Sequence, residues 1–504
     1  MSTLPNIPSA SPNLFQSATD WLARLRERRI GAVELLNLHL EQISKHNEAL
    51  NAVVAQDVEG ALEAARRADD MHASSALPLL RGLPMTIKGT YEVVGMPSTC
   101  GFPFLAQHFP NKDAEPVARL KAPGAIMLGK TNVPPGAFDW QSSNPVYGTS
   151  KNPWNLARSV GGCSGGAAAA VAAVFTPLEM GSDIGGSIRC PAHFRSVYGH
   201  KPSYGVVPMG GHIPPLPGQY GGPSIRSPRD LELALDVLVA PNELDRPAWT
   251  VSIPPSRHKR LQDFRVALWT DAFAVDGACL EAIEAYLQDL RVDTQARPEL
   301  DPNASYEAYL STLLPIMGSG LPPAAVQHLV DSAAGLPLGD NGYVPRAARA
   351  LTMRKYQAFT VAEQRERLFR NWRDFFTRRD LVICPVMPTV AYPHDSRGEG
   401  ASDPITACES RSMIVDGRPR PYFDGLQWIS LATVADRPAT AVPTGRFVDG
   451  MPVGVQLIGP YTAAVRHASG ARVWRFLRAS RLPLRMVFET GEGPHVQQVG
   501  CRGQ

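Results

Sequence analysis

No stretch of this 504-residue chain is apolar for long enough to cross a bilayer. Its longest clean apolar run, residues 167–175, falls far short of the ~20 residues a membrane helix needs, so no membrane association is expected. Cysteine is sparse and scattered: Cys100, Cys163, Cys190, Cys279, Cys384, Cys408 and Cys501 are odd in number and form no CxxC pair. That pattern argues against a disulfide framework or a zinc site and suits a reducing cytoplasm. Neither sign of charge dominates. Lys and Arg number 50 against 47 Asp and Glu, spread along most of the chain, which leaves no basic footprint for nucleic acid. The opening MSTLPNIPSASPNLF has no basic start followed by an apolar core, so no signal peptide is expected. Internal repeats and linker-like segments are also missing, and one large domain is expected.

What is present suits an enzyme built from turns. Hydrophobic residues at 44% allow a sizeable core, and 46 prolines with 43 glycines imply many ordered loops. Helices are expected after Ser17 and over residues 32–46, 230–238, 280–287 and 361–376. In the second of these, Val33, Leu36, Leu40 and Ile43 share one face. AVVAQ near residue 53 reads as extended. Short apolar runs at 125–128, 266–269, 381–384, 439–442 and 453–457 read as buried strands. Strands alternating with helices imply an α/β layered fold.

The densest chemistry lies in residues 159–205, where the glycine knots GGCSGG and GSDIGGSIR each carry a potential nucleophile, Cys163 and Ser187. Glycine is entropically costly, and so many together make sense where backbone N–H groups must approach a substrate. The N–H groups of Ile184, Gly185, Gly186 and Ser187 can converge on one oxygen as an oxyanion hole. Taken alone, the second knot is equally well a plain Gly-rich turn. Serine needs a base: His193 and His200 follow the knot, and Lys88 ends the apolar run GLPMTIK, where burial can lower its pKa toward neutrality. By itself each is more commonly a packed or surface residue. A separate segment, GAIMLGKT at 124–131, fits the phosphate-loop pattern, but its apolar middle reads as a strand and the NVPPG that follows blocks a helix start.

Together, GLPMTIK (82–88), GAIMLGKTNVPPGA (124–137), NPVYGTSKNPWN (144–155), GGCSGGAAAAVAA (161–173), GSDIGGSIR (181–189), GHKPSYGVVP (199–208) and PATAVPTG…DGMPVGVQLIGP (438–460) resemble the amidase signature family. The resemblance spans residues 15–460. It implies a single α/β domain with a central mixed sheet flanked by helices, and hydrolysis of a small-molecule carboxamide without metal or organic cofactor. It further implies Ser187 as the acyl-forming nucleophile, Lys88 as ultimate base, and a bridging serine, entered by a cis peptide, at the third position of the first knot. Here that position is Cys163. A thiol makes longer, weaker hydrogen bonds than a hydroxyl, and its reference pKa of about 8.5 against roughly 10.4 for lysine favours a thiolate–ammonium pair and a weaker base. Ser164 is expected to support Lys88, or to offer a shifted relay. Asp183 is expected to fix the turn by accepting N–H bonds, and Arg189 to clamp a nearby carboxylate or carbonyl groups.

Other positions depart from the family pattern: Gly89 for an Asp, and Arg195 and Ser196 for Cys-Gly, where a positive φ at Ser196 strains the turn. After Pro460, residues 461–488 carry six arginines and no Asp or Glu, so residues 461–504 are expected to be an atypical, poorly packed tail. The alternative reading of that tail is a basic helix that contacts membrane or RNA. Residues 301–356 are expected to shape the acyl pocket, and a homodimer is common among similar proteins. Three functions remain open: an amidase for aryl or alkyl amides, a weakened relative that binds amides, and the glutamine-hydrolysing subunit of a tRNA-dependent amidotransferase.

Overall fold

Helix starts follow the capping chemistry of the sequence. Ser17 accepts from Asp20 N–H while Asp20 reaches back to Ser17, a capping box heading the helix Ala18–Arg26. Asp57 caps Val58–Asp70 by accepting from Gly60 N–H. The computed structural model describes residues 13–461 apart from 72–76, 216–217, 219, 259, 289, 291, 338–339 and 399–402. The expected helices appear as Ala18–Arg26, Ala32–Leu50, Pro228–Leu238, Gly277–Leu287 and Lys355–Arg378. The expected tail beyond Tyr461 lies outside the described residues.

One 11-stranded sheet organises the chain. Its strands are β1 (Val53–Gln56), β2 (Pro84–Lys88), β3 (Ile126–Thr131), β4 (Leu178–Asp183), β5 (Tyr198–Lys201), β6 (Tyr220–Ile225), β7 (Val266–Leu268), β8 (Val292–Asp293), β9 (Leu381–Pro385), β10 (Ala439–Val448) and β11 (Met451–Ile458). They lie in the order β1-β3-β2-β4-β6-β5-β10-β11-β9-β7-β8. β2 pairs in parallel with β3 and β4, β7 with β8 and β9, and the rest antiparallel, so the sheet is mixed as expected. The hairpin between β10 and β11 turns on Asp449 and Gly450, both at positive φ, the conformation an Asp-Gly turn supplies.

Residues 124–131 do not form a phosphate loop: Ile126–Thr131 is a fully buried strand. β6 departs from the apolar-run rule, since YGGPSI holds two glycines and a proline yet is buried throughout. Its ladder to β5 covers only Ser224 and Ile225, so Pro223 sits where the strand has a single partner. The helix Gly165–Ala172 is buried along its whole length. A Cβ at Gly166 would stand 2.5 Å from Asn132 N, so only small residues let this helix press so close.

Candidate active site

Parallel pairing aligns the carboxyl ends of β2 and β4, the side of an open α/β sheet where ligands bind. Lys88 ends β2; Ser182 and Asp183 end β4. Lys88 is fully buried, and its Nζ has three partners: Cys163 Sγ at 2.7 Å, Ser182 Oγ at 2.7 Å and Ser182 O at 3.4 Å. The structure thus brings Lys88 and Cys163 together.

Beyond Asp183 the chain reverses through Ile184, Gly185 and Gly186. Gly186 has φ +83°, and a Cβ there would lie 2.3 Å from Ile429 Cδ1. Asp183 fixes the turn by accepting from Gly186 N–H and Ile188 N–H, each at 3.0 Å. Arg189 closes on the same carboxylate through Nε at 3.1 Å and Nη2 at 2.9 Å. Its other bonds reach Ile429 O, Gln456 Oε1 and Thr433 Oγ1. Burial alone pushes the Asp183 carboxyl up, but the Arg189 charge and hydrogen bonds outweigh it and hold the group below its ordinary value.

The geometry corrects the expected oxyanion hole in one donor. Gly186 N–H points into the turn at Asp183 and is not free for a substrate. Among the described residues the N–H groups of Ile184, Gly185 and Ser187 have no acceptor, and these three remain available.

Ser164 is corrected as well. Its hydroxyl donates to Ser182 O at 3.1 Å and accepts from Ser182 N at 3.3 Å, so it braces the end of β4 and does not touch Lys88. The peptide entering Cys163 is not cis; the cis peptide among the described residues joins Ile213 to Pro214. Instead, Gly161 and Gly162 turn the first knot at φ +64° and +27°. The two knots touch through backbone: Ser164 N–H donates to Ser187 O at 3.2 Å, and a Cβ on Gly162 would lie 2.9 Å from Ser187 Cα. The Ser187 hydroxyl itself makes no hydrogen bond among the described residues, so the Cys163–Ser187 link of the expected relay is not formed.

His193 and His200 are excluded as bases by their partners. His193 bonds Gly454 and Thr389 O, and His200 bonds Thr440 Oγ1, all within the sheet and its flanks. The histidine that does reach the site is His212, whose Nε2 lies 2.9 Å from Ser182 Oγ. Sequence reading missed it because it follows the second knot at a distance, in a loop of glycine and proline. Gly89 is needed by packing, since a Cβ there would meet Thr131 O at 2.8 Å, which leaves no room for a carboxylate. Arg195 is buried, with Nη1 donating to Val160 O while Nε and Nη2 have no partner among the described residues. Burial lowers its pKa to about 9. Ser196 takes the left-handed conformation at φ +57°, as its replacement of glycine foretells.

Ser187 opens into a cleft lined by Phe138, Trp140, Leu313, Met317, Phe423 and Leu426. Leu313 and Met317 come from the 301–356 segment. The charged residue on this lining is Asp139, and it is already paired: Arg411 Nη1 binds Oδ2, and Tyr422 OH donates to Oδ1 at 2.8 Å. A roomier cleft of about 350 Å³ lies elsewhere, between helices that carry Glu307 and Arg346, which pair at 2.6 Å.

A buried lysine beside the first glycine knot, and a serine on the turn of the second, are what the signature segments imply, and the sequence model of the Amidase family matches residues 34–464. The chain belongs to that family. It is 33% identical over 476 residues to a glutamyl-tRNA(Gln) amidotransferase subunit of Azoarcus sp. (strain BH72), across 88% of this chain and 94% of that protein. With the indoleacetamide hydrolase of Bradyrhizobium diazoefficiens it shares 31% identity over 491 residues, covering 91% and 88%. The fold superposes on 6-aminohexanoate cyclic dimer hydrolase with a TM-score of 0.74 at 25% identity, over 94% of this chain and 99% of that one. The protein is therefore an amidase, a hydrolase of carbon–nitrogen bonds. Among the described residues no helix is long and apolar enough to cross a membrane.

Proposed function

We propose that this amidase cleaves carboxamides with an apolar aryl or arylalkyl acyl group, through an acyl-enzyme on Ser187. The observation that carries the reading is the cleft above Ser187, whose walls are aromatic and aliphatic and whose carboxylate is neutralised by Arg411. Glutamine carries an α-ammonium and an α-carboxylate, which need free countercharges to leave water; the paired Asp139 does not offer one. An apolar acyl group meets no such penalty, and an indole-sized ring matches the name of one relative.

In the proposed reaction, the Ser187 hydroxyl, without a partner among the described residues, turns to Cys163 Sγ as substrate binds; its oxygen attacks the amide carbon while its proton passes to the sulfur and the thiol proton passes to Lys88 Nζ. The N–H groups of Ile184, Gly185 and Ser187 receive the developing oxyanion; removing one such donor typically costs about 2.7–4 kcal/mol. Collapse breaks the carbon–nitrogen bond, the relay returns a proton to the leaving nitrogen, and water then releases the acid from Ser187. Asp183 and Arg189 hold the turn and take no proton. Cys163 is the bridge, and the sulfur makes this a slower amidase than its serine counterpart.

Glutamine hydrolysis within a larger assembly is the second reading, favoured by the 33% identity to an amidotransferase subunit over nearly its whole length. Ammonia release from indoleacetamide, phenylacetamide, benzamide, aliphatic amides and glutamine, with Ser187→Ala as blank, separates the two. Aryl amides are expected to lead. Glutamine turnover exceeding that of every aryl amide would refute the pocket argument.

A further inference from the structure

We propose that His212 is a positioning residue of the proton relay, acting through Ser182 to set the direction of the lone pair on Lys88. The inference rests on reading Lys88 as the base.

Hydrogen-bond polarity can be followed atom by atom from a fixed end. His212 Nδ1 lies 3.0 Å from Pro214 O, and a carbonyl oxygen only accepts, so Nδ1 carries the ring proton. Nε2 is then a bare acceptor. Burial, with the nearby Lys88 charge second, keeps the ring neutral by lowering its pKa to about 3; the Pro214 bond opposes this only in part. At 2.9 Å from Nε2, the Ser182 hydroxyl must be the donor. With its proton so committed, Ser182 Oγ presents only lone pairs to Lys88 at 2.7 Å, and Ser182 O, at 3.4 Å, likewise only accepts.

A neutral amine has two N–H groups and one lone pair. The two oxygens of Ser182 take the N–H groups, which leaves the lone pair for the third neighbour, Cys163 Sγ at 2.7 Å. The same tripod satisfies all three N–H groups once Lys88 has taken the proton. Without an acceptor at residue 212, the Ser182 hydroxyl is free to turn and donate to the Lys88 lone pair. That bond competes with Cys163 for the base. Tyr91 packs edge-on against the imidazole at 5.0 Å and donates to Gly181 O at 2.9 Å, so ring and strand end share one frame.

The test compares kcat and KM for the best amide of the screen, with melting temperatures, in wild type, His212→Phe, His212→Gln, Ser182→Ala and the His212→Phe/Ser182→Ala double variant. Phe keeps a ring against Tyr91 but lacks the acceptor; Gln restores an acceptor oxygen. His212→Phe is expected to lower kcat roughly 10–100-fold with KM within about twofold, a part of what positioned acid–base groups supply. His212→Gln is expected to keep most of the activity. Adding Ser182→Ala to His212→Phe is expected to restore part of kcat, because the misdirected hydroxyl is gone. A merely structural histidine predicts the reverse, a double variant slower than either parent. Wild-type kcat in His212→Phe, a change confined to KM, or a double variant slower than His212→Phe overturns the proposal. If the Phe variant does not fold, His212→Met repeats the loss of acceptor in a flexible side chain and is read against Gln. Lys88→Met and Ser187→Ala run alongside. Activity surviving either one refutes the reading of the site itself, whereas loss in both with a normal His212→Phe refutes only the role of His212.

Discussion

Lys88 Nζ and Cys163 Sγ, 75 residues apart in the chain, meet at 2.7 Å inside the protein. Cys163 is 2% exposed and Lys88 0%, so a proton exchanged between them has no route through bulk water. On the proposed relay, sulfur at residue 163 sets how readily the base reaches Ser187. Cys163→Ser is expected to raise kcat by about tenfold on any amide the parent cleaves, a fraction of what a well-placed relay contributes. Single-turnover acylation measures it directly. An unchanged acylation rate would mean that the thiol is not the bridge.

Arg411 sets the charge of the cleft beside Ser187 by pairing with Asp139. Its removal leaves the Asp139 carboxylate without its cationic partner, and breaking one half of a buried pair is strongly destabilising. In Arg411→Met, KM for neutral aryl amides is expected to rise about tenfold, about 1.4 kcal/mol. Amides with a cationic acyl side chain are expected to lose less. Paired kcat/KM values for the two substrate types check this.

A methyl group on Gly162 would collide with the backbone of Ser187. Gly162→Ala is expected to cut kcat by about 10²-fold, the scale of displacing a reacting atom by ~1 Å. Melting temperature and labelling of Ser187 by a fluorophosphonate, read together, distinguish a displaced nucleophile from a lost fold.

Ser196 closes the helix Arg189–Arg195 in a conformation that glycine adopts freely. Ser196→Gly is expected to stabilise the protein by about 0.5–1 kcal/mol, part of the left-handed penalty being offset by the entropy of glycine. The urea midpoint is expected to rise, with activity unchanged.

Glu179 is buried, bonded to Thr86 and Thr131 and within the field of Lys88. Burial pushes its carboxyl up from 4.5 to about 8, only partly offset by those bonds and the Lys88 charge. Between those two values the unfolded chain has released a proton that the folded chain keeps, so this group's contribution falls as pH rises through the window. Glu179→Gln has no such proton to lose, and its unfolding free energy is expected to drop less than that of wild type from about pH 5 to 8. Asp183 has the opposite sign: its depressed carboxyl contributes above the ordinary value and loses that contribution as pH falls through the folded one. Denaturant titrations at matched pH give the difference.

Periodic and capped segments were the legible part of this fold. Pro228–Leu238 and Lys355–Arg378 announce themselves by pattern, and β9 and β11 by runs of Val, Ile and Leu. β6 was illegible because Gly and Pro signal a turn, and only the long-range pairing with β4 makes YGGPSI a strand. In the site, motif and spacing single out Lys88, Cys163, Asp183, Ser187 and Arg189, and the structure sets Lys88 against Cys163 and Arg189 against Asp183. The hydrogen-bond partners of Ser164 and Gly186 were not legible, because a donor's partner depends on angles no sequence records. His212 was hidden for a similar reason: its loop has no periodicity, and its partner Ser182 lies across the sheet end, 30 residues earlier in the chain.

The backbone contact between Gly162 and Ser187 bears on how this enzyme can be recombined. The helix Gly165–Ala172 and strand β4 form a clasp whose two ends close on each other, so the loop between the knots has no slack to absorb a foreign insert. Chimaeras joined within residues 165–185 would pair one parent's hinge with the other's latch. Crossovers placed before residue 159 and after residue 205 carry the clasp as one inherited block, and domain shuffling in this scaffold is best confined to those joints.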